Sequence, residues 1–259
     1  MNSTPLGHLT PSEVETVLEY IQEVDAILVG GQSLAIWSRL YLDRAPRIAS
    51  VYSMSSEDVD LYGGKEAAQA FAKKLANARV YIPPPFDPSP NAAVVVGQLG
   101  NRTIQVDFLK AVLGVDSRLL RKNFVTLTGP AQSGENPVNI LILHPLDCLR
   151  SRLSNINDLK RTTLHSISSA EASIIILEVF IDDLLQQGEV KKAQAILMSL
   201  YYVIRDRCLG KPSYTKFKID PLSIMLKYRL DLRLDNRWRS HQLAGAIGRL
   251  RRKIDISLR

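Results

Sequence analysis

The chain has 259 residues, 46% hydrophobic and 23% charged, which is enough apolar material for one large domain or two modest ones of ordinary soluble composition. No unbroken apolar run of eighteen residues occurs, and MNSTPLGHLTPSEVE lacks the basic-then-apolar order of a secretory signal. Neither a membrane span nor secretion is therefore expected, and two cysteines, Cys148 and Cys208, without CxxC spacing fit a reducing cytoplasm. The formal charge of +7 is uneven: residues 201–259 hold 15 Lys or Arg against 5 Asp or Glu. That end suits a polyanionic partner such as a nucleic acid, or is a solvated helix surface.

In chain order, Thr10-Pro11-Ser12-Glu13 opens a helix predicted to reach about Val24: a cap residue, a proline, then acids in the first turn. DAILVGG reads as a short buried strand ending in two glycines, and QSLAIWSRLYLD as the helix that follows. Residues 43–57 read as irregular. Val59–Tyr62 is a strand broken by Gly63-Gly64, KEAAQAFAKKLAN a helix, and ARVYI a strand. PPPFDPSP, with five prolines in eight residues, must be a loop. NAAVVVGQL and RTIQVDFLK form a hairpin about Gly100-Asn101; Thr103, Gln105 and Asp107 share its more polar face. VNILILH is a further buried strand. From Pro145 onward every periodic segment is helical: PLDCLRSRLSNI, SIIILEVFIDDLLQQ, EVKKAQAILMSLYYVIRDRCL, DPLSIMLKYRL and RWRSHQLAGAIGRLRRKI. The expectation is an α/β (α+β) fold: a mixed twisted sheet flanked by helices over residues 1–144, then an all-helical domain over 145–259 with a basic C-terminal end.

Three features could carry chemistry. Gly30-Gly31-Gln32-Ser33 sits at a strand-to-helix turn, where glycine allows close backbone approach and helix N–H groups point outward, suiting a triphosphate. SSEDVDLYG places Asp58 and Asp60 two apart, on one face of a strand. Asp107 follows on a third strand. Carboxylates are hard oxygen ligands for Mg²⁺ or Mn²⁺, and two such ions can clamp the attacking and leaving oxygens of a phosphoryl displacement. Asp107 would hold the metal on the attacking side or act there as base. The plainer readings are a tight turn at Gly30 and Gly31 and a solvated strand residue at Asp107. The four histidines show no metal-binding spacing, and neither GxSxG nor GxxxxGK[ST] is present.

Gly-Gly-x-Ser, then D-x-D, then a lone Asp on a hairpin strand, resembles the DNA polymerase β-like nucleotidyltransferase superfamily. Within it, ILVGGQSLA and SSEDVDLYG look like the abortive-infection AbiEii-type toxin nucleotidyltransferases, and HPLDCLRSRLSNI is similar to that family's helix after the sheet. The resemblance covers roughly residues 25–165. It implies an Mg²⁺- or Mn²⁺-dependent enzyme transferring a nucleoside monophosphate from an NTP to an acceptor, RNA of tRNA type foremost, in toxin or phage defence, with a cognate antitoxin as partner and no membrane. Asp58, Asp60 and Asp107 would be metal-binding and catalytic. Gly30, Gly31 and Ser33 would hold the triphosphate, with Arg152 as a phosphate contact; Lys110, by its place near the end of the Asp107 strand alone, is a further candidate to meet phosphate. Two departures stand out. Ser33 and Asp58 are 25 residues apart, so 43–56 reads as an insertion, and Arg152 stands where the family often has lysine. Arg249, Arg251, Arg252 and Lys253 form a basic helix face suited to a nucleic-acid backbone. The alternative is a non-catalytic nucleic-acid- or partner-binding protein on the same fold.

Overall fold

The computed structural model describes residues 9–53, 59–129 and 137–258, with side chains as far as residue 253. It holds seven strands in one mixed sheet and, among the described residues, eleven α-helices and one π-helical turn. The fold is of the mixed α and β class, as the sequence predicts. It divides into two compact units: Met1–Ile36 with Met54–His144, and Trp37–Ser53 with Pro145–Arg259.

The first unit begins with α1 (Pro11–Ile21). The Thr10 hydroxyl accepts from the Glu13 N–H and the Glu13 carboxylate accepts from the Thr10 N–H at 2.7 Å, a reciprocal cap. The helix stops three residues before the predicted Val24. Then come β1 (Ile27–Leu28), α2 (Gly30–Leu40), β2 (Val59–Tyr62), α4 (Lys65–Ala72), β3 (Ala76–Tyr81), β4 (Asn91–Leu99), β5 (Arg102–Leu109), α5 (Ser117–Asn123), β6 (Val125–Gly129) and β7 (Val138–Ile142), the division between units falling within α2. The short α3 (Arg47–Val51) lies in the second unit. The sheet runs β3-β4-β5-β2-β1-β7-β6. The β2–β5 and β1–β7 pairs are parallel, the others antiparallel. One sheet face is apolar: Val59, Leu61, Val95, Val106 and Phe108 are buried, as are Ala67, Ala68 and Phe71 of α4. The Phe71 and Phe108 rings lie 5.9 Å apart. Period-2 alternation puts Asp60, Gln105 and Asp107 on the other face.

The second unit contains α6 (Pro145–Asn157), α7 (Leu164–Gln186), α8 (Val190–Arg205), α9 (Gly210–Phe217), α10 (Leu222–Tyr228), a π-helical turn (Trp238–Leu243) and α11 (Ala244–Leu258). Its core joins Leu149, Leu153, Leu177, Ile181, Leu197, Leu200, Met225, Tyr228 and Ile247. Trp37, Tyr41, Ile48 and Tyr52 are buried. Trp37 stacks on Tyr41 and meets Phe180 edge-on at 5.7 Å, while Arg44 and Arg47 pair with Asp183 and Glu178 of α7. By length and composition alone α7 could cross a membrane. In this unit it is a core helix, packed on α6 and α8.

Residues 43–57, predicted irregular, include α3. The helix α5 and the edge strand β6 are not among the predicted elements, although β6 carries a short period-2 signal in Val125-Thr126-Leu127-Thr128. The helix α7 begins nine residues before the predicted Ser173. Thr163 caps it, and Ser169 and Ser173 donate to the carbonyls of His165 and Ser169, which lets a serine-rich stretch stay helical while buried.

Candidate active site

In the parallel ladder of β2 and β5 the register sets Asp60 directly beside Asp107. Neighbouring strands lie roughly 4.8 Å apart and matched residues point to the same face, so two part-buried carboxylates stand side by side. The Gln105 side-chain amide donates to Asp107 Oδ1 at 3.0 Å and holds that carboxylate from within its own strand. The Asp60 backbone carbonyl accepts from the Val29 N–H at 2.9 Å, tying β2 to the residue before the glycine turn.

Gly30 follows with φ +65°, a left-handed conformation. A Cβ added there would lie 2.7 Å from Asp60 Cβ and overlap its Oδ2. The turn and the carboxylate are therefore in direct contact, possible only with glycine. Ser33 is fully buried, and its hydroxyl donates to the Gly30 carbonyl at 3.0 Å, so it fixes the turn from inside. Gly31 is part-buried in the first turn of α2.

The other predicted site residues are distributed as follows. Asp58 lies outside the described residues. Lys110 sends its ammonium to the Asp87 carbonyl at 3.3 Å, and its N–H donates to the Pro90 carbonyl, so it ties down the proline loop. Arg152 is on α6 in the second unit, with its Nε buried and without a hydrogen-bond partner. Burial pushes the nearby Tyr52 phenol up in pKa, and the Arg152 charge partly offsets this. Arg249 is drawn onto Tyr201: its Nε donates to the phenol at 3.2 Å and its guanidinium lies 5.4 Å from the ring centre. Arg251, Arg252 and Lys253 are exposed on α11.

Sequence reasoning placed Gln105 on the face of Asp107 without giving it a role, and it missed Arg121 altogether. Arg121 of α5 had no signal; its guanidinium lies 5.4 Å from the ring centre of Tyr62, which shares a face of β2 with Asp60, and it pairs with Asp25 at 3.3 Å.

No group of three or more His, Cys, Asp or Glu able to hold a metal occurs among the described residues. The described donor set is the Asp60–Asp107 pair. Two adjacent carboxylates repel one another unless a cation or a shared proton compensates them, and their hard oxygens fit Mg²⁺ or Mn²⁺. No family model, curated protein or solved structure matches the chain.

Proposed function

We propose that the protein is a metal-dependent nucleotidyltransferase that moves a nucleoside monophosphate from an NTP to an acceptor, with RNA as the acceptor class. The observation that carries this reading is the register match of Asp60 and Asp107 above the Gly30 turn. In this reading Asp60 and Asp107, with Asp58, would hold Mg²⁺ or Mn²⁺. The ion, when bound, neutralises phosphate charge and polarises the transferred phosphoryl group. Gln105 orients Asp107. Gly30 and Gly31 bring backbone N–H groups close to the triphosphate at the start of α2, where the helix dipole favours anions. Ser33 maintains that turn. Asp107 accepts the proton from the attacking hydroxyl, whose oxygen bonds the α-phosphorus as the phosphoanhydride bond between α- and β-phosphate breaks and pyrophosphate leaves. A toxin or phage-defence role in the cytoplasm, with a cognate antitoxin, belongs to the same proposal and follows from the AbiEii-type resemblance.

The test is transfer of label from each α-labelled NTP to total RNA with Mg²⁺ or Mn²⁺. Transfer by the wild type that is abolished in Asp60→Asn and in Asp107→Asn supports the reading. Transfer that survives in both variants overturns it. RNA binding with no transfer under any NTP favours the non-catalytic alternative.

A further inference from the structure

The second unit presents its charges in two contrasting ways. The α7 acids Glu178, Asp182 and Asp183 are met by Arg44, Arg47, Lys227 and Arg233. Where α8, α9 and α11 meet, cations gather in a second way. These helices and the α8–α9 connection line an open cavity of about 470 Å³. Arg205, Arg207, Lys211, Lys216 and Lys253 contribute exposed cationic side chains to it. Ile204 and Leu250, both buried, and Pro212 supply an apolar floor. Among the described residues Arg205, Arg207, Lys211 and Lys216 form no ion pair with a carboxylate. The one acid between them in sequence, Asp206, has its carboxylate engaged by the N–H groups of Cys208 and Leu209. Like charges gathered this way repel one another, and a bound polyanion relieves that repulsion.

We propose that this cavity binds single-stranded RNA, seating one nucleoside phosphate unit with phosphates on the cations and the base against Ile204, Pro212 and Leu250. Arginine forks match phosphate oxygens. The volume lies within the roughly 300–1,000 Å³ of small-molecule sites. An apolar floor rewards a splayed base, which a strand offers and a duplex withholds. Arg251 and Arg252, exposed on α11, extend the charge beyond the cavity for neighbouring phosphates. Tyr201 reports the same local field: burial pushes its phenol up, but the hydrogen bond and charge of Arg249 and the charge of Arg205 outweigh that and hold it below its ordinary value. The site requires no nucleotidyl transfer and stands whether or not the transfer reading holds.

The test is anisotropy of a labelled single-stranded RNA oligomer with the full chain, without NTP or divalent ion, across a salt series. Lys211→Ala with Lys216→Ala is expected to weaken binding and flatten the log–log salt slope by about 0.7 per lost phosphate contact. Both side chains are exposed, so thermal melts should be unchanged. Lys191→Ala with Lys192→Ala, exposed cations of α8 outside the cavity, should leave the slope as in wild type. An equal change in this control overturns the proposal, as does equal competition by duplex RNA or by polyglutamate. Competition by a free nucleoside monophosphate at the oligomer's own concentration assigns the cavity to a small nucleotide and overturns the strand.

Discussion

Two constraints meet at Gly30. Its φ of +65° disfavours any side chain, and the space a Cβ needs is filled by Asp60. Gly100, at the hairpin turn, has φ +59° and nothing within 4 Å of an added Cβ. The pair therefore separates backbone strain from contact. Gly100→Ala should lose about 1–2 kcal/mol, the left-handed penalty alone. Gly30→Ala should lose more, because Asp60 must also move. Urea melts of the two variants check this, and equal losses would contradict the contact. At this scale the sequence was informative where a residue's role follows from its own chemistry. The double glycine and the strand parity of Asp60 and Asp107 could be read directly. The side-by-side match of those aspartates depends on which strands pair and in what register, a non-local choice with no local marker.

Helix α7 shows how an element combines an apolar surface with a charged edge. Lys227 lies 3.0 Å from Glu178 and 2.6 Å from Asp182, and Arg233 bonds Asp182 and Asp231. The Tyr228 hydroxyl donates to the Glu178 carbonyl at 2.6 Å and anchors α10 there. Burial pushes the Asp182 carboxyl up, but hydrogen bonds from Lys227 and Arg233 outweigh it, and its pKa falls below the ordinary value. A lowered folded-state pKa means stability that is present above the unfolded carboxylate value of about 3.9 and is lost as pH falls through the folded value. Asp182→Asn should therefore lower stability at neutral pH while flattening the loss on acidification, as measured by urea midpoints from neutral pH down to about 3, below the ordinary carboxylate value. A parallel shift of the whole curve would mean that the carboxylate charge plays no part. For Lys227, burial pushes the pKa down, yet its bonds to Asp182 and Glu178 outweigh that and raise it, so its contribution is full at neutral pH and fades only as pH rises past about 10.4. The apolar run of α7 was plain in the sequence. Its first nine residues, LHSISSAEA, were not, because the buried positions there are Ser169, Ala170 and Ala172 rather than large apolar residues.

At the scale of the whole molecule, the chain does not divide in a single place. Residues 37–53 belong with 145–259. The change in character at His144-Pro145 could be read from the loss of strand-like runs. The membership of 37–53 could not, since it depends on partners such as Phe180 and Asp183 more than a hundred residues away. A fragment of residues 145–259 made alone would lack Trp37, Tyr41, Ile48 and Tyr52, each buried in the intact chain. Losing each large apolar side chain removes roughly 1.5–3 kcal/mol of burial. The fragment should give a broad, low-temperature melt by circular dichroism, and a peptide of residues 37–53 added in trans should sharpen and raise it. A fragment melt equal to that of the full chain would refute the assignment.

The discontinuity also has a consequence for synthesis. As the nascent chain leaves the ribosome, Trp37, Ile48 and Tyr52 emerge before any residue of α6 or α7 exists. At about 5–20 residues per second, the intervening segment 54–144 takes on the order of 5–20 s to appear. Throughout that interval an aromatic-rich stretch waits for its partners while the sheet segment is made. Folding of the second unit is therefore delayed for its first seventeen residues, whose apolar side chains stay without their partners until α6 and α7 have been made.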